Sequence, residues 1–170
     1  MSTSPESSGS FGDLVAANRY YAELFHLQAL DPRAAKGLAV ITCMDSRIEP
    51  LGMLGLDPGD AKILRNAGAR VTPDVIRTLV LAVHLLGVER VLVVPHTRCG
   101  TLGTESSIKA AVLAGGGVDV GDLDLRTTTD QIATLRADLE VLRASPYLSG
   151  IESAGAVYDV DTGLLGELVT

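Results

Sequence analysis

A chain of 170 residues, 46% hydrophobic and 21% charged, is long enough for one domain burying roughly two thirds of its unfolded surface, and too apolar for disorder. Its net charge of -7 excludes nucleic acid as a partner, because phosphate recognition needs a concentrated basic face, and no apolar run reaches the ~18 residues of a membrane span. The opening MSTSPESSGS has neither the positive nor the apolar region of a secretory leader, so the cytoplasm is the expected compartment. Two cysteines there are more often metal ligands, reactive thiols or packing residues than a disulfide.

Residues 1–10 read as a flexible N-terminus, and Phe11 to Leu30 sets Leu14, Val15, Ala22, Leu24 and Phe25 among Asn18, Arg19 and Glu23. That spacing predicts an amphipathic helical arm over 11–32, ended by Asp31-Pro32, ahead of a domain spanning 33–170. Leu38 to Cys43 is an apolar run suited to a strand buried on both faces, with Cys43 at its carboxyl end. A second strand is predicted at Ala61 to Arg65, then a helix from Pro73, favoured in a first turn, to Leu86, with Gly87 just past its end. Arg90 to Pro95 supplies a third strand, directly followed by His96 and Cys99. Two more helices fit about Thr104 to Leu113 and Thr128 to Arg143, separated by a Gly/Asp-rich loop from Gly115 to Asp124. The tail, Ala154 to Tyr158, Asp161-Thr162-Gly163 and Leu164 to Val169, reads as a hairpin or a strand with a return. Alternation of strands and helices gives an α/β single domain with a mostly parallel central sheet flanked by helices, whose chemistry belongs beyond the carboxyl ends of the strands. Cys43, His96 and Cys99 all fall there.

A catalytic zinc takes three protein ligands and keeps its fourth tetrahedral position open, and two thiolates with one imidazole suit it. Alone, His-x-x-Cys is equally compatible with two buried cysteines and a loop histidine. The surrounding residues are more specific: Cys43-Met44-Asp45-Ser46-Arg47, Arg65-Asn66-Ala67-Gly68 and His96-Thr97-Arg98-Cys99-Gly100, in that order. Here the chain resembles the β-carbonic anhydrases, matching their C-x-D-x-R, N-A-G and H-x-x-C-G motifs, with a likeness that runs from Ile41 to the C-terminal tail. The resemblance implies a short-type member that hydrates carbon dioxide reversibly to bicarbonate by a zinc-activated hydroxide. It implies Cys43, His96 and Cys99 as zinc ligands, Asp45 and Arg47 as a catalytic dyad, and assembly as a homodimer or higher homo-oligomer. High apolar content in a small domain independently points to a surface covered by another subunit. Without the motif, Asp45 and Arg47 read as an ordinary surface ion pair.

Two thiolates leave less positive charge on the metal than the three histidines of the zinc sites whose water ionises near pH 7, so activity is expected to favour alkaline pH. Asp45 is also a good oxygen donor for zinc and is expected to take the fourth position at low pH, returning to Arg47 as hydroxide becomes available. Gly68 and Gly100 are candidate substrate-binding positions through their backbone N–H groups, or simply turn residues. Lys62 aligns with a lysine near the pocket of short-type members, or is a solvated strand-end charge. Val80 and Leu81 are pocket wall or core, His84 reads as a packed core residue, and His26, on the arm, is a proton relay only if the arm crosses a neighbouring subunit. Arg98 departs from the acidic residue many relatives carry, and the chain has no Trp, so the bicarbonate-inhibition pocket of some larger members is not supported. The same ligands serve relatives that hydrolyse carbonyl sulfide or carbon disulfide, and Cys43 and Cys99 also suit a redox disulfide or a closed structural zinc site in a binding protein.

Overall fold

In the computed structural model, which describes residues 11–170, Leu38–Cys43 form β1 with every residue buried, as a central strand of a parallel sheet requires. The flexible N-terminus expected at residues 1–10 lies outside the described residues. The one hydroxyl of β1, on Thr42, donates to Val94 O at 2.9 Å, so no polar side chain on β1 goes unpaired. The other strands are β2 (Ala61–Asn66), β3 (Arg90–Val94) and β4 (Glu152–Gly155), in the order β2-β1-β3-β4 with every neighbouring pair parallel. The register sets Cys43 beside Asn66 and Thr42 beside Val94, so β1, β2 and β3 end at one level.

Alternation along the strands divides the core. Ala39, Ile41, Val91 and Val93 face the helices α2 (Pro73–Leu86) and α4 (Gln131–Ala144), meeting Val75, Leu79, Leu135, Leu139 and Leu142. Leu38, Val40 and Leu92 face the other way, toward Met53, Leu54, Leu56 and the tail residues Tyr158 and Leu165. The bounds predicted for α2 hold because both ends are capped. Thr72 Oγ1 accepts from Val75 N–H, Pro73 occupies the first turn, and Gly87 closes the helix at φ +72°.

Elsewhere the boundaries move for local reasons. Helix α3 (Glu105–Gly116) runs through Gly115 and Gly116, expected to be loop, and stops at Gly117, whose φ is +67°. Helix α4 starts three residues later than predicted, because Asp130 caps it, accepting from Ala133 N–H, while the Thr128 hydroxyl is bonded to Thr134 and the Asp130 carbonyl. The tail is a strand with a return: β4 pairs with β3, and the return makes antiparallel bridges Gly155 to Val169 and Tyr158 to Leu165. Among the described residues, those up to Leu30 form one compact unit and Asp31–Thr170 another. In the first, the helix α1 (Gly12–Glu23) is shorter than the predicted arm and has no buried residue. No helix among the described residues is long and apolar enough to cross a membrane.

One buried charge locks α4 to the loop after β2. Asp138, 4% exposed, accepts from Arg70 Nε at 2.7 Å and Nη2 at 3.3 Å, while Arg70 Nη1 donates to Arg126 O. Asp138→Ala leaves the guanidinium without its counter-charge, and urea unfolding should register a loss of about 3 kcal/mol. Glu140→Ala, at the exposed pair with Arg143, should cost less than about 1 kcal/mol. Equal losses at the two sites would show that the Arg70–Asp138 pair is not buried in solution.

Candidate metal centre

Adjacent carboxyl ends of β1 and β3 bring the three ligand candidates together. Cys43 is the last residue of β1; His96 follows β3 after Pro95, and the chain turns at Arg98, with φ +53°, to bring Cys99 back. The two sulfurs lie 3.8 Å apart, and both lie within 4.8 Å of a His96 ring nitrogen. Two thiolates bound to one tetrahedral zinc at about 2.3 Å stand about 3.8 Å apart, so the donors already have the spacing the ion needs. Cys43, His96 and Cys99 are 4%, 0% and 7% exposed.

Protonation states agree with a metal site. His96 Nδ1 lies 2.8 Å from Thr97 O and so donates to it, which leaves Nε2 with its lone pair, buried and with no hydrogen-bond partner among the described residues. An unpaired buried nitrogen is costly unless it is a ligand. Burial pushes the His96 pKa below its ordinary value, favouring the neutral imidazole that binds metal. Burial raises the Cys43 thiol, partly offset by the Gly68 N–H that donates to its sulfur at 3.4 Å. The cost of an ionised Cys43 in this setting falls away once a cation binds.

Asp45 and Arg47 form a fork-to-fork pair beside this cluster. Arg47 Nε donates to Asp45 Oδ1 at 2.9 Å and Nη2 to Oδ2 at 2.7 Å, and the Arg47 backbone N–H reaches Oδ1 at 3.0 Å. These bonds hold the Asp45 carboxyl well below the usual carboxylate range. Asp45 Oδ2 lies 3.7 Å from His96 Nε2, so the carboxylate borders the space the lone pair faces. It is paired with Arg47 through both oxygens. No fourth protein donor joins the Cys-His-Cys cluster among the described residues, and both cysteines are free thiols.

Supporting residues carry the geometry further than the motifs indicate. Arg65 donates from Nε to Cys43 O at 2.9 Å and from Nη2 to Asp45 O at 2.6 Å, clamping the turn that carries ligand and dyad. Asn66 closes the next loop, its side chain exchanging hydrogen bonds with the Arg70 backbone at 2.7 and 2.8 Å. That loop sets Gly68 at φ +78°, where an added Cβ would lie 2.8 Å from Thr101 Oγ1, and the Thr101 hydroxyl is 3.2 Å from Cys99 Sγ. Gln131, at the start of α4, donates to His96 O at 2.9 Å. Arg65 and Asn66 sit in the motif region, where a charged side chain beside a glycine turn was a usable signal. Gln131 had none.

The remaining predicted positions divide. Gly68 is part of the cluster, but its N–H is committed to the Cys43 sulfur, and Gly100 has open space above its Cα. Lys62 lies near the amino end of β2, level with Ala39 and away from Cys43, and its ammonium is bonded to Pro32 O. Val80 and Leu81 line an open apolar hollow with Pro73, Ile76, Arg77 and Tyr147, which includes none of the ligands. His84 is a correction: it is exposed, its Nε2 2.9 Å from Tyr147 O, because it falls on the side of α2 opposite Val75, Leu79 and Ala82. His26 is exposed, with Nδ1 3.2 Å from Leu24 O.

Comparison with known proteins gives the same grouping of residues a lineage. The family model described as carbonic anhydrase matches residues 38–119, which include the cysteines, His96 and the dyad. Beta-carbonic anhydrase 1 of Mycobacterium tuberculosis is 34% identical over 158 residues, covering 92% of this chain and 96% of that protein. A carbon disulfide hydrolase of Acidithiobacillus thiooxidans is 29% identical over 75% of each chain. The crystal structure of carbonic anhydrase from Streptococcus mutans superposes with a TM-score of 0.86 at 39% identity, over 96% of this chain and 100% of that one. A parallel sheet that converges two thiols and an imidazole beside an Asp-Arg pair, and a likeness that spans nearly the whole length of such relatives, place this chain in the β-carbonic anhydrase family.

Proposed function

We propose that this chain hydrates carbon dioxide reversibly to bicarbonate with zinc held by Cys43, His96 and Cys99. The observation that carries the reading is the buried His96 Nε2, without a hydrogen-bond partner among the described residues, converging with two sulfurs beside a carboxylate kept ionised by Arg47. Bound there, zinc supplies Lewis acidity that makes a hydroxide nucleophile available near neutral pH. Asp45, acceptor-only while Arg47 holds both its oxygens, takes a hydrogen bond from the nucleophile and turns its lone pair toward the substrate carbon. Gly100, with nothing within 4 Å of its would-be Cβ, leaves room for a small substrate to approach the backbone. Stopped-flow hydration of carbon dioxide by zinc-loaded protein tests the reading, and no rate above the uncatalysed reaction in a fully loaded sample would overturn it.

The carbon disulfide hydrolase among the relatives supports a second reading, hydrolysis of carbon disulfide or carbonyl sulfide at the same site. Rates on the three substrates with one zinc-loaded preparation separate the two. Carbon dioxide is expected to be turned over fastest, and a preference for either sulfur compound would replace the first assignment with the second.

The chain is further proposed to assemble as a homodimer or larger homo-oligomer through its N-terminal arm. Phe11, Leu14, Val15, Tyr20, Leu24 and Phe25 are all exposed there, more apolar surface than a short helix leaves to water without a partner. Deleting residues 1–30 should lower the mass measured by light scattering. An unchanged mass, or a monomeric full-length chain, would defeat the arm as the interface.

A further inference from the structure

Thr97 and Arg98 present consecutive carbonyls to the two halves of the site. Thr97 O accepts from His96 Nδ1 at 2.8 Å, and Arg98 O accepts from Arg47 Nη2 at 3.2 Å. One dipeptide therefore orients both the ring of the histidine ligand and the guanidinium that grips Asp45. Arg98 holds this position at φ +53°, a left-handed conformation that a non-glycine residue keeps only when its surroundings enforce it.

Those surroundings are the C-terminal return. Thr97 N–H donates to Tyr158 O at 2.9 Å, Val160 N–H donates to Thr97 Oγ1 at 3.1 Å, and the Arg98 guanidinium pairs with Asp161. The pivot is Asp159, whose Oδ1 accepts both the Asp161 N–H at 2.8 Å and the Thr97 hydroxyl at 3.4 Å. The Asp161 N–H, with further hydrogen bonds, holds the Asp159 carboxyl below its usual range, so it is an acceptor at neutral pH. Asp159 stands 62 residues beyond Thr97 and belongs to none of the motifs around the ligands.

We propose that Asp159 is a positioning residue for this reaction: through the Thr97 hydroxyl it fixes the Thr97–Arg98 peptide, which aims His96 at the metal and Arg47 at Asp45. The proposal rests on Cys43, His96 and Cys99 holding zinc, but not on which substrate is turned over.

The test measures zinc affinity by competition with a chromophoric chelator, together with kcat and KM for carbon dioxide, in the full chain. Asp159→Ala is expected to weaken zinc by about tenfold or more, as removal of a ligand's hydrogen-bonded support does, and to lower kcat with little change in KM. Asp159→Asn keeps Oδ1 as an acceptor for both bonds and should remain within about threefold of the parent in both readouts. Thr97→Val removes the hydroxyl, which also accepts from Val160 N–H, so it should lose at least as much as the alanine variant, and the double variant should lose less than the sum of the two, since both break the Asp159–Thr97 connection. Parental zinc affinity in Asp159→Ala, or an Asn variant as weak as the Ala one, would overturn the proposal. If Asp159→Ala does not fold, parental affinity in Thr97→Val overturns it instead. A parent that binds zinc yet leaves carbon dioxide unreacted would sink the hydration reading alone, since the zinc measurement still decides the role of Asp159.

Discussion

Replacing Cys43 with Ser, His96 with Ala or Cys99 with Ser is expected to yield protein that emerges from gel filtration without zinc and without hydration activity. Each donor is one of three, and the nearby Asp45 carboxylate is held in its pair with Arg47, so each loss leaves two ligands for an ion that needs at least three to be retained. The three variants should still fold. The strands that carry them are held by the Ile41, Leu79, Val93 and Leu139 core, and His96→Ala removes a nitrogen that has no hydrogen-bond partner among the described residues. Elemental analysis and far-UV circular dichroism on the same samples separate loss of metal from loss of fold. Full zinc occupancy in any of the three would remove that residue from the ligand set.

Asp45→Asn should have the second largest effect, with zinc retained and hydration lowered by about a hundredfold or more, the scale seen when one preorganised polar group is removed from an active site. An amide offers Arg47 one acceptor oxygen instead of two and turns an N–H2 donor toward the nucleophile, so one half of the fork-to-fork pair and the acceptor for the nucleophile are lost together. Arg47→Ala breaks the pair from the other side. The Asp45 carboxyl, held low by the guanidinium, then moves up toward its ordinary carboxylate range. That is still below any hydration assay at neutral or alkaline pH, so Asp45 stays ionised and the activity lost comes from orientation. The deficit in Arg47→Ala should therefore be the same at each pH from neutral upward, and Arg47→Lys should restore little of it, because a point charge cannot match the carboxylate at two places. An Asp45→Asn variant with parental kcat would show that the pair is only a surface contact.

Much of the fold was legible because its signals are local. The fully apolar run Leu38–Cys43 reads as a central strand, and Pro73 and Gly87 bracket α2 through backbone rules that operate within a few residues. Errors arose where a local pattern had two solutions. Gly115 and Gly116 continue α3 until Gly117 supplies the left-handed cap, and Thr128 is spent on Thr134 while Asp130 starts α4. His84 looked like core because its neighbours are apolar, but a helix buries only one face, and the Leu79 and Ala82 face is the one that meets the sheet.

The amino-acid order alone determined the chemistry on offer: two soft sulfurs and an imidazole placed after strand ends, with an Asp and an Arg two and four residues beyond the first cysteine. Only the tertiary structure decided that the offer is taken up. The 3.8 Å between sulfurs 56 residues apart follows from β1 lying directly beside β3, a neighbour relation that no periodicity encodes. The same sheet order carried Lys62 to the end remote from Cys43 and brought Gln131 and Asp159 to the histidine loop. Helix and strand patterns report side-chain periodicity over a few residues, whereas the partners of Thr97 and His96 are chosen by which strands pack together, and that choice is made by burial of the whole core.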